Sequence, residues 1–196
     1  MTPSHRNILL VVHARRDDTV EAAQRIISAV LAAGATPVVA ADDRPELAER
    51  LPLDGVRTLG DDVDLDEVEL AIVLGGDGTI LRAAEVVRGS RAPILGINMG
   101  HVGFLAEIER DDMDDAVRRV IGRDYQVEER LALAVRVLDA DDRLIYETWA
   151  LNEATVEKAS RERMLEVVME VDGRPLSSFG CDGVVIASPT GSTAYN

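Results

Sequence analysis

Residues 71–85, AIVLGGDGTILRAAE, constrain the fold more strongly than any other stretch of the chain. An apolar run leads into a glycine-rich turn, and apolar residues then recur at helical spacing. This order predicts a buried strand that feeds a helix through a tight turn. In open α/β sheets such turns lie at the carboxyl edge, where ligands bind. The stretch therefore predicts one unit of a parallel sheet with a ligand site at its turn.

The rest of the first 122 residues repeats this alternation of strand and helix patterns. Short apolar runs predict strands, and amphipathic stretches between them predict helices, the first of which Thr19 is expected to cap. We therefore predict a Rossmann-like α/β domain with a parallel sheet over residues 1–122. The predicted strands are 7–14, 36–41, 69–76 and 92–98, and the predicted helices are 19–33, 44–51, 79–89 and 111–122.

The pattern changes near Gly122, after which the sequence shows no helical repeat. Residues 129–158 predict two strands around a DADD turn, and residues 163–179 predict a hairpin with an Asp-Gly turn. Residues 182–191 predict one further strand. We therefore predict a second, all-β, sandwich-like domain over residues 123–196.

Composition limits the classes of partner and of compartment. The chain has 196 residues and a formal net charge of −15, which argues against nucleic acid or an anionic membrane as a partner. Aromatic residues make up only 3%, so we expect an aliphatic, alanine-rich core. The chain begins without a signal-peptide pattern and has no apolar run of roughly 18 residues. With Cys181 as its single cysteine, it is expected to be cytoplasmic.

The GGDGT turn combines features that suit phosphate with one that does not. Gly76 and Gly78 let the backbone approach a ligand, and a helix beginning at Thr79 would direct N–H groups and its dipole at an anion. Asp77 alone would repel phosphate. It is therefore expected to accept a proton from an attacking hydroxyl, or to hold Mg²⁺ against the phosphates. These residues together indicate phosphoryl transfer to an alcohol.

Two other phosphate-binding motifs are missing from the sequence. A Walker loop requires Gly-Lys followed by Ser or Thr, and the dinucleotide fingerprint requires GxGxxG, and neither pattern occurs. Because the turn has no lysine, the charge of the phosphates would be balanced by arginine, Mg²⁺ and backbone amides. Arg82, one turn into the helix, is the candidate, and an ordinary exposed arginine is the alternative.

GGDGT alone resembles motifs of several kinases, including lipid kinases of the diacylglycerol and sphingosine type and phosphofructokinases. Three further stretches narrow the choice: LGINMGHVGFL (95–105), ALNEATVEK (150–158) and DGVVIASPTGSTAYN (182–196). In this order and spacing, the four segments closely resemble bacterial NAD kinases. The resemblance extends over nearly the whole chain.

The resemblance implies ATP-dependent phosphorylation of the adenosine ribose 2′-hydroxyl of NAD, with Mg²⁺ or another divalent metal, to give NADP. Asp77 would be the catalytic base, or would orient the hydroxyl. Asn152 and Glu153 would bind the adenosine, and Asp182 the nicotinamide end, in some relatives from a neighbouring subunit of a homodimer or homotetramer. The resemblance implies the following substrate-binding residues: Gly76, Gly78, Thr79, Arg82, Asn98, Phe104, Asn152, Glu153, Arg163, Asp182, Thr193, Ala194 and Tyr195.

The sequence departs from the family pattern in two respects. Many relatives carry an arginine where this chain has Gly180, and members continue well beyond the TAY segment, whereas this chain ends at Asn196. We therefore expect an incomplete β-rich domain, and we do not expect residues 1–196 to be active alone. A dinucleotide-binding module without turnover, and a kinase for a lipid or a sugar, are the alternative functions.

Overall fold

The computed structural model of the protein describes residues 6–100, 103, 105–160 and 163–193. The chain divides into two compact units, Met1–Val127 and Glu128–Asn196. The sequence analysis placed the change at Gly122, which is the last residue of the final helix of unit 1.

Unit 1 contains a six-stranded sheet in which every pairing is parallel. The strand order is β3-β2-β1-β4-β5-β6, which is a doubly wound order, and the parallel, Rossmann-like sheet confirms the predicted fold class. The strands are β1 (Asn7–Val12), β2 (Thr36–Ala40), β3 (Arg57–Leu59), β4 (Val68–Gly75), β5 (Ile94–Asn98) and β6 (Ile108–Glu109). The sequence analysis missed β3 and β6, because two or three residues are too few to show a periodicity.

The central strands explain why the sequence shows continuous apolar runs rather than alternation. All six residues of β1 are buried, as are seven of the eight residues of β4, because helices cover both faces of the sheet. The core is aliphatic as expected, and the described part of the chain has no aromatic residue among its buried hydrophobic side chains. Tyr125 packs against this core from its edge.

Four α-helices among the described residues flank the sheet, and the buried faces of the three longer ones follow the predicted amphipathic patterns. The prediction that Thr19 caps the first helix is wrong, because Arg16 is the capping residue. Thr19 lies inside the helix, and its hydroxyl donates to the carbonyls of His13 (2.5 Å) and Arg16 (2.8 Å). The helices are α1 (Asp17–Ala32), α2 (Arg44–Ala48), α3 (Asp77–Val86) and α4 (Met113–Gly122).

An ion cluster closes the amino edge of the unit 1 sheet. The Arg6 guanidinium donates to both carboxylate oxygens of Glu69 (2.5 and 2.8 Å) and to the carbonyls of Val120 (2.9 Å) and Ile121 (2.5 Å). Arg123 donates to the same carboxylate at 3.1 Å. The hydrogen bond from Arg6 lowers the pKa of Glu69 below its usual value, and Arg123 adds to the effect.

The described residues of unit 2 form three antiparallel strand pairs, β7 with β8, β9 with β12 and β10 with β11. Residues 129–158 form three strands rather than the predicted two, because β9 starts within three residues of the end of β8 and pairs elsewhere. The strands are β7 (Leu133–Leu138), β8 (Leu144–Ala150), β9 (Glu153–Glu157), β10 (Leu165–Val171), β11 (Arg174–Cys181) and β12 (Gly183–Ala187). They confirm the predicted β-rich second domain.

Burial in unit 2 is concentrated at one place. Among its described residues only Asn152, Ser188 and Ser192 are buried, and all three are polar. Large apolar side chains on its strands are exposed instead, such as Ile145 and Leu176. No helix among the described residues is both long enough and apolar enough to cross a membrane.

Candidate active site

The GGDGT turn joins β4 to α3 at the carboxyl edge of the unit 1 sheet. The predicted helix start at Thr79 is wrong by two residues, because α3 begins at Asp77 with Gly76 as its capping residue. The Gly76 carbonyl accepts hydrogen bonds from the N–H groups of Thr79 (2.9 Å) and Ile80 (3.1 Å). Asp77 therefore lies in the first turn of the helix, where the positive end of the dipole favours a carboxylate or a bound anion.

The glycines of this turn serve two different purposes. A Cβ on Gly75 would lie 2.3 Å from Thr79 Oγ1, so this glycine lets the buried Thr79 side chain pack under the turn. A Cβ on Gly76 or Gly78 would meet no atom of the described residues within 4 Å. The backbone at these two positions is therefore open to a ligand.

The Asp77 carboxylate is held against the connection between β5 and β6. Its Oδ1 accepts a hydrogen bond from the backbone N–H of Leu105 at 3.1 Å. A Cβ on Gly103 would lie 2.6 Å from the same oxygen. Gly103 had no role of its own in the prediction. A glycine is the residue that a close approach of the backbone requires, so its presence in this stretch was the available signal.

A cleft of about 490 Å³ opens beside the turn. Arg82 lines it, but its guanidinium is paired with the Asp43 carboxylate and donates to the Val12 carbonyl at 3.0 Å. Asp43 is 8% exposed, and its second oxygen has no hydrogen-bond partner among the described residues. Sequence analysis missed Asp43, because no motif marks it. The lining residues are Val12, His13, Ala14, Arg15, Asp43, Glu46, Gly76, Gly78, Thr79 and Arg82.

Asn98 is the last residue of β5 and is paired in register with Gly75 of β4. Its side chain is buried, and Oδ1 accepts a hydrogen bond from the Gly100 N–H at 3.1 Å. In this structure Asn98 therefore shapes the turn that follows β5.

The structure of unit 2 brings together two of the segments that carried the family resemblance. Asn152 Nδ2 donates to the Gly191 carbonyl at 3.0 Å, and the Ser188 N–H donates to the Asn152 carbonyl at 2.7 Å. The Thr193 N–H donates to Glu153 Oε2 at 3.4 Å. The Asn-Glu pair and the PTGST turn thus form one hydrogen-bonded cluster, and the sequence analysis missed the part of Ser188 in it.

Asn152 also carries an unsatisfied acceptor. The residue is 5% exposed, and its Oδ1 is buried without a hydrogen-bond partner in the described part of the chain. Buried polar atoms are almost always hydrogen-bonded, and an exception is often found at a functional site. This oxygen therefore has an unfilled hydrogen-bonding capacity, which marks Asn152 as a candidate site residue.

The remaining predicted residues lie elsewhere in unit 2 or outside the described residues. Asp182 is exposed and forms an ion pair with Lys158 (Nζ to Oδ1, 2.5 Å), and Arg163 is exposed just before β10. Gly180 lies within β11, where a Cβ would be 3.0 Å from Met164 Cε. Phe104, Ala194 and Tyr195 lie outside the described residues.

A doubly wound sheet with a glycine-rich, acid-bearing turn at its carboxyl edge defines a protein of the nucleotide-binding α/β class. Comparison with known proteins narrows the class. Residues 8–125 match the ATP-NAD kinase N-terminal domain, and residues 151–196 match the ATP-NAD kinase C-terminal domain. The chain therefore belongs to the NAD kinase family.

Individual relatives agree with this assignment. The NAD kinase of Leifsonia xyli is 58% identical over 194 residues, which are 98% of this chain and 64% of that protein. NAD kinase 2 of Streptomyces coelicolor is 48% identical over 194 residues, which are 97% of this chain and 62% of that protein. The chain thus spans less than two thirds of the length of these relatives.

Two solved structures resemble the fold. Yeast NADH kinase complexed with NADH gives a TM-score of 0.81 at 23% identity, over 97% of this chain and 60% of that one. An NAD kinase from Archaeoglobus fulgidus in complex with ATP gives a TM-score of 0.60 at 25% identity, over 97% of this chain and 63% of that one. The yeast likeness supports the two-domain fold.

Proposed function

We propose that the protein acts as an NAD kinase, which transfers the γ-phosphate of ATP to the 2′-hydroxyl of the adenosine ribose of NAD to form NADP. Membership of the family supports this activity. The observation that carries the proposal is the Asp77 carboxylate, which lies in the first turn of α3 and accepts the Leu105 N–H at 3.1 Å. The Asp77 carboxylate is thus a proton acceptor at a helix N-terminus, which is a position suited to phosphate.

In this proposal Asp77 orients the 2′-hydroxyl and takes its proton. The 2′-oxygen forms a bond to the γ-phosphorus, and the bond from that phosphorus to the β–γ bridging oxygen breaks, so that ADP leaves. The open backbone at Gly76 and Gly78 lines the phosphate path, with Thr79 packed beneath it. Arg82, which is ion-paired with Asp43, lines the neighbouring cleft and is proposed to contact the phosphates there.

A divalent metal ion bound to the ATP phosphates would neutralise charge on the transferred group. The described residues contain no group of three or more His, Cys, Asp or Glu side chains that could hold a metal. Mg²⁺ commonly binds through one or two carboxylates together with substrate phosphates. Asp77 fits this arrangement as a single carboxylate beside the open turn, and we propose Mg²⁺ as a companion of ATP rather than a resident ion.

We propose that Asn152 and Glu153 bind the adenosine of NAD. The unsatisfied Asn152 Oδ1 can accept from an adenine amino group, and the Glu153 carboxylate can accept from ribose hydroxyls. Asn98 is proposed as a substrate-binding residue of unit 1, and Arg163, Asp182 and Thr193 as substrate-binding residues of unit 2. Phe104, Ala194 and Tyr195 are proposed as substrate-binding residues on the family resemblance alone.

The assembly, compartment and donor range follow the family resemblance. We propose a homodimer or homotetramer, which light scattering on the purified protein would measure. We propose a cytoplasmic location, because the family resemblance points to a cytosolic dinucleotide pool, and fractionation would test it. Polyphosphate is a second candidate donor, and replacing ATP with it in the assay would decide.

The experiment that tests the function is NADP formation from NAD, ATP and Mg²⁺, measured with an NADP-specific dehydrogenase. It is run on residues 1–196 and on the same residues joined to the part of the Leifsonia relative that lies outside the match. We expect activity in the longer chain and its loss in Asp77→Asn, with NAD still bound. Undiminished turnover in Asp77→Asn would contradict the role of Asp77.

An acceptor panel separates the alternatives. A diacylglycerol or fructose 6-phosphate that is phosphorylated faster than NAD would contradict the proposal. NAD binding without release of ADP in the longer chain would identify a binding module instead of a kinase.

A further inference from the structure

Arg16, which follows β1, contacts the turn after β5 at the carboxyl edge of the sheet. Its Nη2 donates to the Met99 carbonyl at 2.7 Å, across 83 residues of sequence. A Cβ on Gly100 would lie 2.8 Å from both terminal nitrogens of the guanidinium. The backbone of Met99 and Gly100 therefore packs directly on Arg16, and a side chain at residue 100 would require the guanidinium to shift.

Hydrogen bonds to Asp18 also hold the Arg16 side chain in place beside this turn. Its Nε and Nη2 donate to the two carboxylate oxygens of Asp18 at 3.1 and 2.7 Å, and its backbone caps α1. These bonds from Arg16 lower the pKa of Asp18, and Arg110 lies 3.9 Å from the same carboxylate and lowers it further. Asp18 is thus ionised over the physiological range and fixes the guanidinium fork.

The same connection between β5 and β6 meets Asp77 at its other end. There the Leu105 N–H donates to Asp77 Oδ1, and Gly103 lies against that oxygen. The connection is also anchored where the Glu107 N–H donates to the Gly96 carbonyl at 3.3 Å. Arg16 supplies the corresponding anchor at the start of the connection.

We infer that Arg16 is a positioning residue, which fixes the Met99–Gly100 backbone so that the Leu105 N–H is presented to the Asp77 carboxylate. It touches no reacting group itself. Its effect on the carboxylate is structural, whereas the effect on turnover rests on the proposed function. Removal of the guanidinium is expected to free the start of the connection and to weaken the hydrogen bond at its end.

Amide hydrogen exchange of Leu105, measured by NMR on residues 1–196, tests the inference without requiring turnover. Arg16→Met keeps the apolar part of the side chain and removes the guanidinium. We expect the Leu105 amide in this variant to exchange about tenfold faster than in the parent chain. Arg16→Lys can still donate to Met99 but cannot hold Asp18 with a fork, so an intermediate rate is expected. Arg25→Met, which removes the ion pair with Asp114 on α4, is the matched control and should leave Leu105 unchanged.

Kinetics provides the second readout in whichever chain forms NADP. We expect Arg16→Met to lower kcat about tenfold while KM for NAD changes less than about threefold, because the base is displaced rather than the substrate site. An unchanged Leu105 exchange rate in Arg16→Met would overturn the inference. If that variant does not fold, the comparison with Arg16→Lys decides. Absence of NADP formation in the parent chain would instead refute the proposed function, and the exchange rates would still decide the role of Arg16.

Discussion

The side-chain amide of Asn152 donates to the Gly191 carbonyl at 3.0 Å, which fixes its orientation and leaves Oδ1 buried without a partner among the described residues. In Asn152→Asp a carboxylate oxygen would face that carbonyl, and two acceptors would repel each other. We expect NAD affinity to fall about tenfold or more, measured by calorimetry. Gln126→Glu, the same exchange of an amide for a carboxylate at an exposed position, should bind NAD as the parent chain does. Equal affinity in Asn152→Asp would exclude this amide from the adenosine site.

Gly103→Ala is expected to lower kcat strongly while it changes the stability of the fold little. The added Cβ would lie 2.6 Å from Asp77 Oδ1, so either the carboxylate or the connection must move. We expect kcat to fall about tenfold or more with little change in the melting temperature. Gly122→Ala is the control, because a Cβ there meets no described atom within 4 Å. A fully active Gly103→Ala would show that the position of this carboxylate is not critical.

Arg82 has a structural role and a proposed functional role, and a double variant separates them. Arg82→Met leaves the Asp43 carboxylate buried without its partner, so we expect a loss of about 1–2 kcal/mol in the free energy of unfolding. We also expect a higher KM for ATP. Adding Asp43→Asn should restore most of the stability but not the KM. Recovery of both quantities in the double variant would show that Arg82 acts only through Asp43.

Glu69→Gln should lower stability in a pH-dependent way. The pKa of Glu69 is below its usual value of 4.5 in the folded protein because Arg6 and Arg123 hydrogen-bond to it. Its stabilisation is therefore fully present above the unfolded pKa and is lost as the pH falls through the lower, folded pKa. We expect the variant to be about 1–2 kcal/mol less stable near about pH 7, with the difference shrinking as the pH falls below 4.5 and through the lower, folded pKa.

Far-UV circular dichroism suits this measurement, because all the described helices lie in unit 1. Asp115→Asn, which removes an exposed ion pair with Arg118, should change stability by less than about 0.5 kcal/mol. A pH-independent difference between Glu69→Gln and the parent chain would show that the charge of Glu69 does not contribute.

The sequence predicted the parallel sheet and its ligand edge because β1 and β4 are long, continuously apolar strands. It failed where structure depends on contacts between distant residues. β9 is separate from β8 because its partner β12 lies some thirty residues further along the chain, and that contact leaves no local pattern.

The candidate site was likewise predictable where a local motif marks it and not where it depends on contacts between distant residues. GGDGT and the Asn-Glu pair are visible as motifs, and the resemblance they carry gave the correct family. Asp43 and Arg16 carry no motif, and Gly103 lies in the 95–105 segment without a predicted role. Each matters through contact with a residue between 26 and 83 positions away. Only a structure can show that Arg16 meets Met99 or that Gly103 meets Asp77.

The hydrogen bonds from Arg6 to the carbonyls of Val120 and Ile121 hold the start of β1 beside the end of α4, at the amino edge of the sheet. A short peptide could therefore span the two positions, and the chain could be reopened in the exposed loop around Asp54 and Gly55, away from the GGDGT edge. Such a permuted unit would keep every contact of Asp77 and Arg82. The order of the strands along the chain is thus separable from the arrangement of the site that they carry.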